Sequence, residues 1–228
     1  MTATSPAKVS QPRLRADALR NRERIVAAAR EMFVEHGAEV PLDEIARRAG
    51  VGNATLYRHF ADRSELVHHV ALSVMDRIAD RADEARAQES DAFQALRRFV
   101  HQAADERIGA LCPLISHSPD RGHPDLMAAR DRLNASIEAV MSDARASGQL
   151  RTDIAVGDLM VAVTQLTRPL PGLGSSPRAH DSGCGSVCMD FDRFVHRHLQ
   201  LFLDGLATPA RSELPGTAAT LEDLRPTT

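Results

Sequence analysis

The apolar positions of this chain recur every three or four residues along most of its length, the spacing that puts one face of an α-helix inward. From Ala18, the residues Ile25, Ala28, Ala29, Met32 and Phe33 keep that spacing, and Gly37 supplies a left-handed stop. A second, shorter helix is predicted from about Pro41 to Ala49, with Pro41 in its first turn, Asp43 and Glu44 near its positive end, and Ile45, Ala46 and Ala49 facing inward. Gly50-Val51-Gly52 makes a tight turn, and a third helix starts at Asn53 as N-cap, with Leu56 and Phe60 docking one side. Thr55, Tyr57, Arg58 and His59 must then point elsewhere. Asp62 followed by Glu65 reads as the capping arrangement of a fourth helix, whose apolar series runs through Leu66, Val70, Val74 and Ile78.

Further helices are predicted at about 90 to 107, 124 to 147, 156 to 167 and 190 to 206. Pro124 suits a first turn, and Gly148 and Pro169 follow helix ends. No alternating strand pattern with hairpin signals appears, so the fold class is all-α. The Pro-, Gly- and Ser-rich stretch between Pro169 and Met189 reads as a loop. The expected organisation is a basic, disordered arm over 1–17, a small helical head over 18–64, a larger helical body over 65–206, and a disordered tail over 207–228.

Composition changes the picture in two respects. The core must be built from Ala, Leu, Val, Ile and Met, because the 228 residues hold no Trp, one Tyr and seven Phe. The formal charge of −3 also divides unevenly: the chain through Arg63 is basic by three charges and the remainder acidic by six. A basic head on an acidic body suits a nucleic-acid-binding module attached to a regulatory or assembly domain. No apolar run approaches a membrane span, and the start has no apolar stretch of the secretory kind, so a cytoplasmic protein with no membrane partner is expected.

Two short helices joined by a glycine turn, the second with a free polar and aromatic side, form the arrangement that enters a DNA major groove. Here the sequence becomes specific. The stretch from Arg22 to Leu66, and above all IARRAGVGNATLYRHF from Ile45 to Phe60, resembles the DNA-binding region of the TetR (tetracycline-repressor-type) family of bacterial transcriptional regulators. About a fifth of the chain carries this resemblance. Beyond it, the chain resembles the family only in its helices, its length and a Gly-Gln-Leu-Arg-Thr-Asp segment from Gly148 to Asp153. Pro41 and Leu42 depart from the hydroxyl N-cap common in these proteins, which removes one phosphate contact.

The resemblance implies that Asn53, Ala54 and Thr55 enter the groove, that Tyr57, His59 and Arg63 bond phosphates, and that Arg58 reaches a phosphate or a guanine edge. One head contacts few base pairs, so a homodimer on a palindromic double-stranded operator is expected. The implied dimer interface uses Leu159, Val163, Phe194, Val195, Leu199 and Phe202; the helix around the last four is apolar nearly all round. A small-molecule effector is implied, making 18–64 the helix-turn-helix DNA-binding domain and 65–206 the ligand-binding and dimerisation domain, with Met75, Phe93, Leu96, Phe99, Val100, Met141, Met160 and Thr164 as candidate lining residues, each singly better read as plain core. Their apolar character suggests an apolar ligand.

Other chemistry stays open beside this reading. Cys184 and Cys188 follow His180, and Cys112 lies near His117, so thiol or metal sensing is an alternative, although no second tight pair completes four ligands. His196 and His198 stand two apart on a helix and so on different faces. No Gly-rich phosphate loop, His-Glu-x-x-His or Gly-x-Ser-x-Gly motif is present, so no catalytic residue, cofactor or metal set is assigned and the protein is not expected to be an enzyme. A DNA-coating protein is the third class, separable by its indifference to sequence.

Overall fold

The structure, a computed structural model, describes residues 11–37, 39–111, 122–168, 191–220 and 223. Among these residues there is no strand. The helices are α1 (Gln11–His36), α2 (Leu42–Arg48), α3 (Asn53–His59), α4 (Arg63–Gln88), α5 (Ala92–Asp105), α6 (Pro124–Ala146), α7 (Val156–Leu166) and α8 (Phe191–Leu206), with helical backbone also at 108–111. The chain divides into two compact units, Met1–Val70 and Ala71–Thr228.

In the first unit, α1 begins at Gln11, within the segment expected to be a disordered arm through residue 17; the arm's residues 1–10 lie outside the described residues. The reason is local. Between Pro12, tolerated in a first turn, and Gly37 there is no helix breaker, and Asp17 and Arg20 pair across one turn. Gly37 then ends the helix at φ +83°, a left-handed conformation that favours glycine. Ile25, Ala29, Met32 and Phe33 of α1 are buried with Val40, Ile45, Ala46, Leu56, Phe60, Leu66 and Val70, which makes one small core from four helices. Pro41 is the N-cap of α2 and not part of its first turn, and no side chain caps that helix. Asn53 likewise is the first helical residue, with Gly52 as N-cap. The start of α4 matches the capping expectation: Asp62 Oδ1 accepts from the Glu65 N–H at 2.9 Å, while the Glu65 carboxylate accepts from the Ala61 N–H at 2.7 Å.

In the second unit, α5 packs against α6 and α8, and α7 bridges α6 and α8. Leu96, Phe99, Val100, Ile137, Met141, Leu159, Leu199 and Leu203 form its centre, each contributing about 1.5–3 kcal/mol by burial. Asp91 caps α5, accepting from the Gln94 N–H at 2.8 Å and from Gln149 Nε2 at 2.7 Å. The Glu106 carboxylate, buried at the end of α5, receives two bonds of 2.7 Å from Arg77 on α4, with Arg81 at 3.4 Å.

The tail expected to be disordered from residue 207 is folded back on this unit through residue 220. Ala207 pairs with Leu150 in an isolated antiparallel bridge, and Thr208 donates its N–H to the Gln149 carbonyl at 2.9 Å. Buried Arg151 grips Asp153 at 2.6 and 2.8 Å and the Ser212 carbonyl at 2.9 Å. Further on, Asp158 accepts from the Ala219 N–H at 3.2 Å, and the strand of tail passes so close to Gly157 that a Cβ there would lie 2.6 Å from the Thr220 carbonyl oxygen. Composition alone marked this segment as polar and loose; its order comes from backbone bonds to a buried arginine and a helix-capping aspartate, which no local pattern announces.

Candidate nucleic-acid interface

The seven residues of α3 are held by two apolar anchors. Leu56 and Phe60 are fully buried, whereas Asn53, Ala54, Tyr57 and Arg58 are exposed and Thr55 is half-buried. Tyr57 is 55% exposed, an unusual position for a large aromatic in a small head with few of them. Most of the residues expected to meet DNA thus form one free surface.

Two arginines of α1, which sequence reasoning did not single out, fix that surface in place. Arg24 Nη2 donates to the Ala49 carbonyl at 2.6 Å, the last turn of α2. Gly50 sits there at φ +65°, and a Cβ would come 2.7 Å from the same Arg24 nitrogen, so the glycine serves both the turn and the clamp. Arg22 Nη1 donates to the His59 carbonyl at 3.0 Å, its guanidinium lies 4.7 Å from the centre of the Phe60 ring, and Nη2 contacts His69 Nε2. One arginine therefore locks the end of α3 and the other the start of the turn. They lie 25 to 47 residues from the groups they hold, so nothing in the local spacing could have found them.

The remaining expected DNA contacts have internal partners or constraints. Arg63 Nη2 donates to the Val40 carbonyl at 2.6 Å, tying the start of α4 to the loop before α2. His59 is half-buried, and its Nε2 is buried with no hydrogen-bond partner among the described residues. Burial, followed by the charges of Arg58 and Arg22, holds the His59 imidazole below its ordinary pKa, so it is neutral at neutral pH.

In the second unit the expected effector residues are dispersed. Met75, Leu96, Phe99, Val100 and Met141 are buried side chains, and Phe93, Met160 and Thr164 are half-buried. Two concavities stand out: one of about 450 Å³ beside Arg151, Asp153, Thr208 and Arg211, and one of about 520 Å³ between α7 and α8 lined by Val161, Ala162, Gln165, Leu166, His198 and Phe202. None of the eight expected effector residues lines either. Among the expected dimer residues, Leu159, Val163, Val195 and Leu199 are buried within the unit's own core. Phe194 is 46% exposed and Phe202 half-buried; Val161 at 41% and Leu201 at 61%, outside the expected interface set, complete an apolar face on α7 and α8. Cys112, Cys184, Cys188, His117 and His180 lie outside the described residues. No helix among the described residues is long and apolar enough to cross a membrane.

These features define an all-helical chain with an amino-terminal helix-turn-helix and a larger helical body. Residues 25–70 match the sequence profile of the bacterial regulatory proteins of the tetR family. An HTH-type transcriptional regulator of Staphylococcus aureus is 42% identical over 64 residues, 28% of this chain. The match spans only about a third, 35%, of that relative's length. Over longer spans the fold is similar to a TetR transcriptional regulator from Streptomyces coelicolor (TM-score 0.60, 28% identical, 83% of this chain and 99% of that one). It is also similar to a TetR transcription regulatory protein from Mycobacterium vanbaalenii (TM-score 0.58, 29% identical, 86% and 99%). The TetR-like regulator LfrR from Mycobacterium smegmatis, solved in complex with proflavine, shares the fold at TM-score 0.57 and 20% identity, with 86% of this chain and 99% of that one covered.

Proposed function

We propose that this protein is a cytoplasmic, DNA-binding transcriptional regulator that acts as a homodimer on a palindromic operator and is released by a small molecule. The observation that carries the reading is the division of α3 into buried Leu56 and Phe60 and a free surface of Asn53, Ala54, Tyr57 and Arg58. A tyrosine and an arginine standing free on a helix whose other side is packed suit a duplex: Tyr57 bonds a phosphate, Arg58 a phosphate or the O6/N7 edge of guanine, and Asn53, Ala54 and Thr55 approach base edges. His59 and Arg63 act chiefly by positioning, because the His59 ring nitrogen is buried and Arg63 is tied to the Val40 carbonyl.

Dimerisation is supported by the exposed apolar face of α7 and α8. Val161, Phe194, Leu201 and Phe202 are more than an isolated helix pair normally leaves in water, and a second copy of the same face would cover them. An effector need only bind the released form better than the DNA-competent one. LfrR was solved with proflavine; for this chain the proposal extends to a small molecule held in the helical body and no further.

The test is selection of duplexes from a random pool at physiological salt by the full chain and by its Tyr57→Ala and Arg58→Ala variants. An enriched palindrome is expected, with Tyr57→Ala weakening all sequences alike and Arg58→Ala relaxing preference at particular bases. Enrichment of no sequence, with binding that falls steeply in salt, would replace this reading with sequence-indifferent coating of DNA.

A further inference from the structure

The contact between α5 and α8 contains a feature that the DNA-binding reading does not use. His101 and His196 face one another with their Nδ1 atoms 2.8 Å apart and their rings inclined by 32°. Behind His196, its Nε2 lies 3.0 Å from the Oδ1 of Asp105, which stands one turn after His101 on α5. The carboxylate can only accept at that distance, so the Nε2 of His196 carries the hydrogen and its Nδ1 presents a lone pair toward His101. Around the pair, Arg97 donates to Gln200 Oε1 at 2.7 Å and Gln200 donates to Asp204 at 2.6 Å.

The 2.8 Å spacing is that of an N–H···N hydrogen bond, and it also brings both nitrogens within reach of a single ion. With metal–nitrogen bonds of about 2.0 Å, adjacent corners of a square plane or octahedron are about 2.8 Å apart, whereas the corners of a tetrahedron are about 3.3 Å apart. The observed 2.8 Å fits the first. We propose that His101 and His196 form a two-histidine site for a divalent transition-metal ion of tetragonal preference, Cu(II) or Ni(II), with Asp105 orienting His196 through its other ring nitrogen. The His101 ring moves its hydrogen from Nδ1 to Nε2 through solvent, so both Nδ1 lone pairs meet the ion, and water fills the remaining positions. A neutral ring is what a ligand requires. Burial chiefly holds His101 below the ordinary histidine pKa, with His196 and Arg97 adding to that effect and Gln200 and Asp105 opposing it. Because the ligands come from two helices, occupancy joins α5 to α8.

Calorimetric titration of the full chain with Ni(II), and the electron paramagnetic resonance spectrum of the full chain with one equivalent of Cu(II), test the site. His101→Gln and His196→Gln are each expected to abolish the tightest Ni(II) equivalent. Asp105→Asn should weaken it by about 10–100-fold, and His36→Gln should leave it unchanged. The Cu(II) spectrum of the unaltered chain should show two imidazole nitrogens, and it decides the matter should either histidine variant fail to fold. Retention of the tightest equivalent in both histidine variants would overturn the proposal. So would a Cu(II) spectrum with fewer than two imidazole nitrogens, or one dominated by thiolate.

Discussion

Adding a single methyl group at Gly109 offers a demanding check on the packing of the second unit. The helical backbone at 108–111 passes so near the end of α7 that a Cβ at 109 would lie 2.5 Å from Thr167 Oγ1 and 2.6 Å from both the Arg168 nitrogen and the Thr164 carbonyl oxygen. Two of these obstacles are backbone, so no side-chain rotation relieves them. The Gly109 N–H also donates to buried Thr167 Oγ1 at 3.0 Å, and that hydroxyl donates on to the Val163 carbonyl at 2.8 Å. Separating the segments to admit the methyl costs about 1–3 kcal/mol in displaced packing. Stretching the buried hydrogen bond adds about 1 kcal/mol. Against this, alanine is the better helix former by about 1 kcal/mol. Crowding wins, and Gly109→Ala should destabilise by about 2 kcal/mol. For a chain of this size that lowers Tm by roughly 4–8 °C, read by circular dichroism melting. The double variant Gly109→Ala/Thr167→Ala should remain less stable than Thr167→Ala alone, because the two backbone contacts persist. A Gly109→Ala protein melting at or above the unaltered temperature would refute the argument and mean that these segments part without cost.

Other outcomes follow from the same geometry. Phe194→Glu, which places a charge on the exposed face of α7 and α8, should shift the proposed dimer to monomer in sedimentation while leaving helix content intact; an unchanged mass would refute an interface on this face. His59 is held neutral in the folded head, its pKa lowered first by burial. Its favourable contribution is therefore complete above the unfolded value of about 6.5 and is lost as pH falls through the lower folded value. The head's melting temperature should drop on acidification from pH 7.5 to 5.5, and His59→Gln should shrink that drop. Arg151→Met removes the grip on Asp153 and Ser212, so amide hydrogen exchange should rise at residues 206–213 and stay low in α5 and α6; uniform protection would deny Arg151 its role.

The helices were legible because their signal is repetitive. Ile25 to Phe33, or Leu56 with Phe60, show one buried face through spacing alone, and the structure buries those residues. The surface of α3 was legible for the complementary reason, since Tyr57 and Arg58 had no place on the buried side. The α8 helix was harder to read. With apolar residues nearly all round, its sequence gives no sign that Val195 and Leu199 turn inward while Phe194 and Leu201 face out; only the position of α5 and α7 beside it decides. Long-range polar contacts were invisible for a different reason. Arg22 to His59, Arg24 to Ala49, His101 to His196 and Asp158 to Ala219 each join groups 25 or more residues apart, and a charged residue on a helix looks the same whether it meets water or a distant carbonyl.

The scarcity of aromatics gives Tyr57 a second use. It is the chain's single tyrosine, there is no tryptophan, and it stands 55% exposed on α3. Ultraviolet emission from the unlabelled protein therefore originates almost entirely at one ring on the surface proposed to meet DNA. The molecule carries its own optical reporter: quenching on adding duplex would follow occupancy of that surface, and a thermal scan in the same channel would follow the head while circular dichroism followed mostly the body. Two melting curves from one sample, coincident or separate, would measure how far the two units unfold together, with no label attached.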